Sequence, residues 1–442
     1  MTDLVAKYGL ARVPRYTSYP TAPHFDSRIG PAAHHDWLGA LDAGTRVSLY
    51  LHVPFCARLC WYCGCHTTIT RDPERVHRYA DLLARELDLV RAALPARLAA
   101  GHVHWGGGTP TMLGAGGFTR IAALVRDRFA LTADAEIAIE IDPRSLDAET
   151  ARALAGAGVT RASLGVQDFT SRVQQAVNRV QPFEQVARAA ACLRAHGIRA
   201  LNFDLMYGLP HQTAADVGRS VDLAVRLAPD RVAVFGYAHV PWLKRHQRLL
   251  DEAALPGAAA RRVQAETAAA RLIAHGYVAI GLDHFARPGD ALARAAAEGR
   301  LRRNFQGYTT DDAPALIGLG ASAISTLPQG YAQNAGDLRQ YRGRIAAGRL
   351  ATARGVALDD DDRIRRRIIA RLMCGFEADL GPADGALEVD RGTLAEMARD
   401  GLVVGDGSRL RVTEAGRPYV RTVAACFDRY LSSRAGRHAQ AV

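Results

Sequence analysis

Short apolar runs recur along the first half of the chain, at residues 47–53, 102–105, 136–141, 161–166, 201–207 and 231–237, separated by polar or glycine-containing stretches. Between these runs the apolar spacing lengthens to three or four residues. Val76, Ala80, Leu83, Leu87 and Val90 fall on one helical face, and comparable patterns cover residues 118–129, 183–196 and 217–227. Six strands alternating with helices predict an α/β fold: a partial (β/α)6 parallel barrel with right-handed crossovers. In such arrays ligands sit at the carboxyl ends of the strands.

The flanks read differently. Residues 1–45 lack periodicity, but residues 14–22 hold aromatic and hydroxyl side chains between two prolines, which predicts an extended arm laid over a domain. Residues 46–350 form the expected catalytic domain with its extension: after the sixth strand come a helix, a short apolar segment at 277–282, and polar loops at 283–288 and 303–309. Residues 351–442 predict a mainly helical, winged-helix-like domain, with strands at 401–404 and 409–412 turning at Asp406 and Gly407.

At 442 residues the chain is too long for one compact core. No apolar stretch is long and charge-free enough for a membrane helix and no targeting segment is visible, so a cytoplasmic monomer is expected. The net charge of +11 suits nucleic acid, an anionic surface or an acidic small molecule. The densest basic run, 363–367, follows four aspartates at 359–362 and reads as a compensated helix start; with no basic stripe, nucleic acid and membrane are not expected partners.

Chemistry concentrates in residues 50–65, directly after the first strand. Cys56, Cys60 and Cys63 have the spacing C-x3-C-x2-C, which lets three thiolates of one loop meet three irons of a four-iron cluster and leaves the fourth open. A zinc knuckle would need a second ligand pair about fifteen residues on, and none is there. Scattered Cys192, Cys374 and Cys426 do not suggest a disulfide framework. Cys65 is read as a neighbour of the cluster or a fourth ligand.

Other strand ends carry candidates too. Gly106, Gly107 and Gly108 with Thr109 follow the second strand and would let backbone approach a ligand closely, or form a plain turn. Glu140 and Asp142 end the third strand, Gln167 and Asp168 the fourth; helix capping is the expectation for the two aspartates, ribose or amino-acid contacts for Glu140 and Gln167. Arg179 could grip a carboxylate in a two-pronged bond. Asn202 and Asp204 share one face of the fifth strand, and Ala238 follows the sixth, where an adenine could slide past.

The cysteine spacing resembles that of the radical S-adenosylmethionine enzymes. Further motifs, Arg15-Tyr-Thr-Ser-Tyr-Pro-Thr21, His104-Trp-Gly-Gly-Gly-Thr-Pro-Thr111, Leu164-Gly-Val-Gln-Asp-Phe169, Asp283-His-Phe-Ala-Arg-Pro288 and Asn304-Phe-Gln-Gly-Tyr-Thr309, make the chain similar to the oxygen-independent coproporphyrinogen III dehydrogenase family nearly end to end. Tyr62 stands where that family carries phenylalanine. The resemblance implies a barrel of radical SAM type, a [4Fe-4S] cluster on Cys56, Cys60 and Cys63, and two S-adenosylmethionine molecules lined by Tyr50, Tyr62, Gly107, Gly108, Thr109, Glu140, Gln167, Arg179, Asp204, Ala238 and Ile324. It places Tyr50 and Gln306 at the catalytic centre. It implies conversion of two propionates of coproporphyrinogen III to vinyl groups through a 5′-deoxyadenosyl radical. A flavodoxin- or ferredoxin-like donor and an unidentified electron acceptor would take part. The arm would fold over the barrel mouth, its tyrosines stacking on the pigment and Arg15 meeting a propionate. Two rivals share the cluster motif: a haem chaperone of similar sequence, expected to lack the arm, and a radical SAM enzyme acting on another anion.

Overall fold

A computed structural model describes residues 4–9, 11–381, 387–405 and 408–431. Six parallel strands follow the predicted pattern: β1 (Arg46–Val53), β2 (Ala99–Gly107), β3 (Ala130–Ile141), β4 (Arg161–Gln167), β5 (Ala200–Tyr207) and β6 (Arg231–Gly236). The helices α1 (Pro73–Ala93), α2 (Gly114–Arg128), α3 (Ala148–Gly156), α4 (Phe183–Ala195) and α5 (Ala214–Arg226) connect them, and α6 (Ala258–Ala274) follows β6. Alternation decides which side chains go where. Ala162, Leu164 and Val166 of β4 and Leu201, Phe203 and Leu205 of β5 are buried in the main core, leaving Arg161, Ser163, Asn202 and Asp204 on the opposite face. That face lines the inside of the curved sheet.

Local chemistry fixes the crossovers. The α1 residues Val76, Ala80, Leu83, Leu87 and Val90 are all buried, Pro73 opens the helix, and the Asp72 carboxylate accepts from the Glu74 amide. Thr213 and Asp216 close a reciprocal capping box at the start of α5.

The sheet is larger than its parallel core. β7 (Val278–Ile280) and β8 (His284–Ala286) add antiparallel strands beyond β6. On the other edge β9 (Ala315–Leu319) lies parallel to β1, and β10 (Ile324–Leu327), β11 (Gly330–Asn334) and β12 (Thr352–Ala357) continue antiparallel. The result is one twelve-stranded sheet whose last strand runs to Ala357. The loops expected at 283–288 and 303–309 contain strand β8 and a hairpin of Arg302–Asn304 with Gly307–Thr309. Three residues are too few to show periodicity.

The C-terminal helix α7 (Asp360–Gly375) starts at Asp359, whose carboxylate accepts from the Asp362 amide. A three-stranded sheet follows, with Val403–Gly405 and Arg409–Val412 paired as expected; their turn at Asp406 and Gly407 lies outside the described residues. The arm tyrosines do not face a barrel mouth. Tyr8, Tyr16 and Tyr19 are buried in the C-terminal core with Leu372, Met373 and Tyr419. The Tyr8 hydroxyl donates to Asp400 at 2.6 Å, the Tyr16 hydroxyl to Asp428 at 3.0 Å, and the Arg429 amide donates to the Tyr19 oxygen at 3.2 Å. Large amphipathic rings gain more from that apolar interior than from an open mouth, which corrects the expected stacking role. No helix among the described residues is long and apolar enough to cross a membrane.

Candidate active site

The cysteine loop leaves β1 and is tied to the sheet's carboxyl end from several sides. The glycine segment after β2 meets it first: the Gly108 amide donates to the Val53 carbonyl at 2.9 Å and the Thr109 amide to the Phe55 carbonyl at 2.7 Å. A Cβ on Gly108 would stand 2.5 Å from that carbonyl oxygen, and one on Gly107, at φ +117°, would strike the His52 ring. Close approach of backbone, not turn formation alone, requires glycine here. Opposite, the Asn178 amide group donates to the Leu59 carbonyl at 2.8 Å. Fully buried Gln247 donates to the carbonyls of Tyr62, at 3.0 Å, and Ala238, at 3.2 Å, so the loop is bound to the end of β6. His246 and Lys244 donate to the carbonyls of Cys63 and Cys65 at 2.7 and 2.8 Å.

All seven cysteines are free. Donors surround the three thiols: Thr109 reaches Cys56 Sγ at 3.5 Å, Arg144 and Arg179 reach Cys60 Sγ at 3.5 and 3.4 Å, and the Cys65 amide reaches Cys63 Sγ at 3.4 Å. Burial pushes the Cys56 thiol up to about 11, and its neighbours Cys63 and Cys60 add to the rise. Such a thiol keeps its proton unless a metal replaces it. Among the described residues no three metal-binding side chains converge on a single ion.

Beside the loop, Asp142 lies 2.6 Å from Arg144 and 3.6 Å from Arg179. Burial opposes its charge, but the two guanidiniums outweigh burial and hold the carboxyl down to about 2. Asp142 is therefore an ion-pair partner, and Asp147 caps α3 instead. Asp168 is buried under Gln212 and Ser220 and bonds the Thr170 amide, away from the site's cavity. Its neighbour Gln167 is strained, at φ +67°, and a Cβ on Gly165 would meet its amide nitrogen at 2.9 Å and Arg179 at 3.0 Å.

Inside the sheet a cavity of about 190 Å3 brings together Glu140, Ser163, Asp204, His104, His284 and Gln306. Glu140 accepts from His104 at 3.2 Å and from the Gly107 amide at 3.1 Å; burial disfavours its charge, but these donors keep its carboxyl below the usual range. Asp204 accepts from Ser163 at 2.8 Å and Asn202 at 3.0 Å, yet burial pushes it up to about 6. Tyr50 donates to His52 Nδ1 at 3.0 Å while His52 Nε2 donates to the His66 carbonyl at 3.0 Å. Burial, with Glu140 adding to it, raises the Tyr50 phenol well above its usual range. Ile324 opens β10 beside Gly318, the register partner of Tyr50, and packs against the small cluster of Phe25, Tyr331 and Leu358.

Over residues 50–224 the sequence matches the Radical SAM superfamily. It is 50% identical to the oxygen-independent coproporphyrinogen III oxidase of Bradyrhizobium diazoefficiens, with 100% of this chain and 99% of that one covered. The enzyme of that name from Escherichia coli is 41% identical over 98% of this chain and 96% of its own. The solved structure of coproporphyrinogen III oxidase from Escherichia coli, a radical SAM enzyme, superposes with a TM-score of 0.90 at 40% identity, covering 94% of this chain and 98% of that one. The chain belongs to the oxygen-independent coproporphyrinogen III oxidases. The resemblance seen in its motifs holds over the full length, arm included, which disfavours the chaperone reading.

Membership in this radical SAM family implies a [4Fe-4S] cluster and S-adenosylmethionine. The oxidase chain fits both: three free thiols lie among N–H and O–H donors that suit sulfur ligands of an anionic cluster, and the glycine cradle keeps backbone open beside them. Several residues of this oxidase escaped sequence reading. His104 and His284 lay inside quoted motifs, whereas Lys244, His246 and Gln247 sit in a polar turn with no periodic signal.

Proposed function

We propose that this chain performs the oxidative decarboxylation of two propionate side chains of coproporphyrinogen III to vinyl groups, giving protoporphyrinogen IX in anaerobic haem synthesis. Each conversion removes one β-hydrogen atom, carbon dioxide and one further electron, which passes to an acceptor yet to be identified. Together the cluster and S-adenosylmethionine supply the one-electron chemistry that abstracts the hydrogen. The observation that carries the reading is the set of three thiols, each beside its own donor, in the loop after β1 at the carboxyl end of the sheet whose inner cavity holds Glu140 and Asp204.

In this reading Cys56, Cys60 and Cys63 would hold the cluster, and the chain would bind two S-adenosylmethionine molecules. Tyr62, Gly107, Gly108, Thr109, Gln167, Arg179, Ala238 and Ile324 line their sites. The ionised Glu140 and the Asp204 group accept from hydroxyl or amino groups, and Arg179 faces a carboxylate. Tyr50 and Gln306 stand at the reacting centre: the Tyr50 hydroxyl is fixed by His52, and Gln306 comes in from the hairpin. A flavodoxin- or ferredoxin-like protein in the cytoplasm would supply the electron, and the enzyme would work as a monomer.

An anaerobic assay with coproporphyrinogen III, S-adenosylmethionine and a reductant tests this. Protoporphyrin after oxidation, in step with 5′-deoxyadenosine, is the expected result. Deoxyadenosine without any vinyl product would overturn the substrate assignment.

A further inference from the structure

A second, larger cavity of about 520 Å3 lies between β6, α6, the arm and the C-terminal region. Its size falls in the range of small-molecule sites, about 300–1,000 Å3. Arg15, Arg261, Arg303 and Arg421 all line it. Three acids line it as well, each already paired: Glu266 with Arg262 at 2.7 Å, Glu414 with Arg417 at 2.7 Å, and Asp283 with His284 at 2.7 Å and more loosely with Arg303 at 4.0 Å, so the arginines of the cavity outnumber its acids.

The remaining guanidiniums meet rings and carbonyls. Arg261 lies over the Tyr207 ring at 5.6 Å, and its buried Nε has no hydrogen-bond partner. Arg303, with only 5% of its side chain exposed, lies over Tyr308 at 4.5 Å, and its Nε also lacks a partner. Among the described residues Arg15 donates to the Gly236 carbonyl, at 2.7 Å. Arg421 is held down to about 9, first by burial and then by Arg15, with Arg303 adding to the repulsion. Arg421 itself donates to the Pro14 carbonyl at 3.0 Å, whereas the buried N–H groups of Arg261 and Arg303 that have no acceptor among the described residues are costly unless a ligand oxygen completes them.

The walls between the cations are flat and apolar, formed by Tyr207, Tyr237, Trp242 and Phe285. One end is Ala238, whose carbonyl shares Gln247 with Tyr62 of the cysteine loop. Arg303 lies in the first strand of the hairpin that carries Gln306 into the inner cavity. A ligand here therefore touches the reaction site at two points.

Resting on the proposed activity, we propose that this cavity holds the carboxylate-bearing rim of the tetrapyrrole, with Arg261 and Arg303 as the residues that select for propionates. Arg15, on the arm, closes the same rim from outside.

Coproporphyrin III, the fluorescent oxidised form of the substrate, and its tetramethyl ester are titrated into the cluster-loaded protein and its variants Arg261→Met, Arg303→Met and Arg15→Ala. The tetracarboxylate should bind at least tenfold more tightly than the ester, and Arg261→Met, Arg303→Met and Arg15→Ala should each lose tenfold or more, with KM for coproporphyrinogen rising in parallel. Thermal denaturation and iron content identify any variant that has not folded, in which case the folded variants decide. Equal binding of acid and ester, unchanged affinity in the folded variants, or displacement by S-adenosylmethionine would overturn the site while leaving the proposed activity standing. Arginine-dependent binding without vinyl formation would instead overturn the activity and keep the site.

Discussion

Arg179 and Cys60 stand in direct contact, with Nη1 3.4 Å from Sγ, while Nη2 of the same guanidinium donates to the Gly165 carbonyl at 2.6 Å. One planar fork thus couples the cysteine loop to β4, and Asp142 balances its charge from 3.6 Å away. Arg179→Lys keeps the charge but cannot span both partners. We expect it to lower unfolding free energy by about 1–3 kcal/mol, as for a buried hydrogen bond left unmade, and to weaken S-adenosylmethionine binding. Urea denaturation of the cluster-free protein and a binding titration measure the two effects.

Cys65 meets Cys63 through both backbone and side chain: its amide stands 3.4 Å from Cys63 Sγ, and a hydrogen bond from the Cys65 thiol, a role a serine hydroxyl can also fill, holds the Cys63 thiol down to about 6. Cys65→Ser should therefore retain iron after anaerobic reconstitution. Serine at position 56, 60 or 63 should abolish the brown chromophore. Loss of most of the iron from Cys65→Ser would make it a fourth ligand.

Much of this arrangement was legible in the sequence. Alternation in β4 and β5 already put Asn202 and Asp204 on one face, and the cysteine spacing placed the chemistry after β1. What escaped depends on partners distant in sequence. Asp142 looks like a cap until Arg179 arrives from beyond β4, and the arm tyrosines look like pigment contacts until the C-terminal core buries them. Strand β8 is invisible because three residues acquire their conformation from pairing with β6 rather than from their own pattern.

The glycine cradle gives a steric prediction. Gly108→Ala places a methyl 2.5 Å from the Phe55 carbonyl oxygen, which is backbone and cannot rotate away. Destabilisation of roughly 2 kcal/mol or more is expected, with poor cluster retention. Gly116→Ala, whose Cβ meets nothing within 4 Å, should behave as wild type in the same thermal melts.

Asp204 and Glu86 give the protein a pH signature. Burial raises Asp204 to about 6 and Glu86, a buried residue of α1 that accepts from the Gly320 amide, Asn334 and Tyr341, to about 7, whereas both titrate near 4 when unfolded. Between those values the native state binds more protons than the unfolded one, so stability falls as pH rises from about 4 to 7. Asp204→Asn should remove the lower part of that slope and gain on the order of 2 kcal/mol at neutral pH, while weakening cofactor binding. Urea midpoints of the cluster-free protein at several pH values report it; an unchanged slope would mean that Asp204 is ionised in the fold.

Gln247 tests whether the cysteine loop needs its tie to β6. Its amide group donates to the Tyr62 and Ala238 carbonyls, and its oxygen accepts from the Val240 amide at 2.6 Å, all in a fully buried position. Alanine there leaves three buried polar groups without partners, whereas Gln247→Glu can still accept from Val240 but cannot donate to both carbonyls. Because Cys56, Cys60 and Cys63 keep their own donors, iron should remain in the glutamate variant. Tyr62 and Ala238 would lose their fixed spacing, so the affinity for S-adenosylmethionine should fall about tenfold or more, with less deoxyadenosine formed per cluster. Equal affinity in Gln247→Glu and wild type would show that the loop holds its position without this bridge.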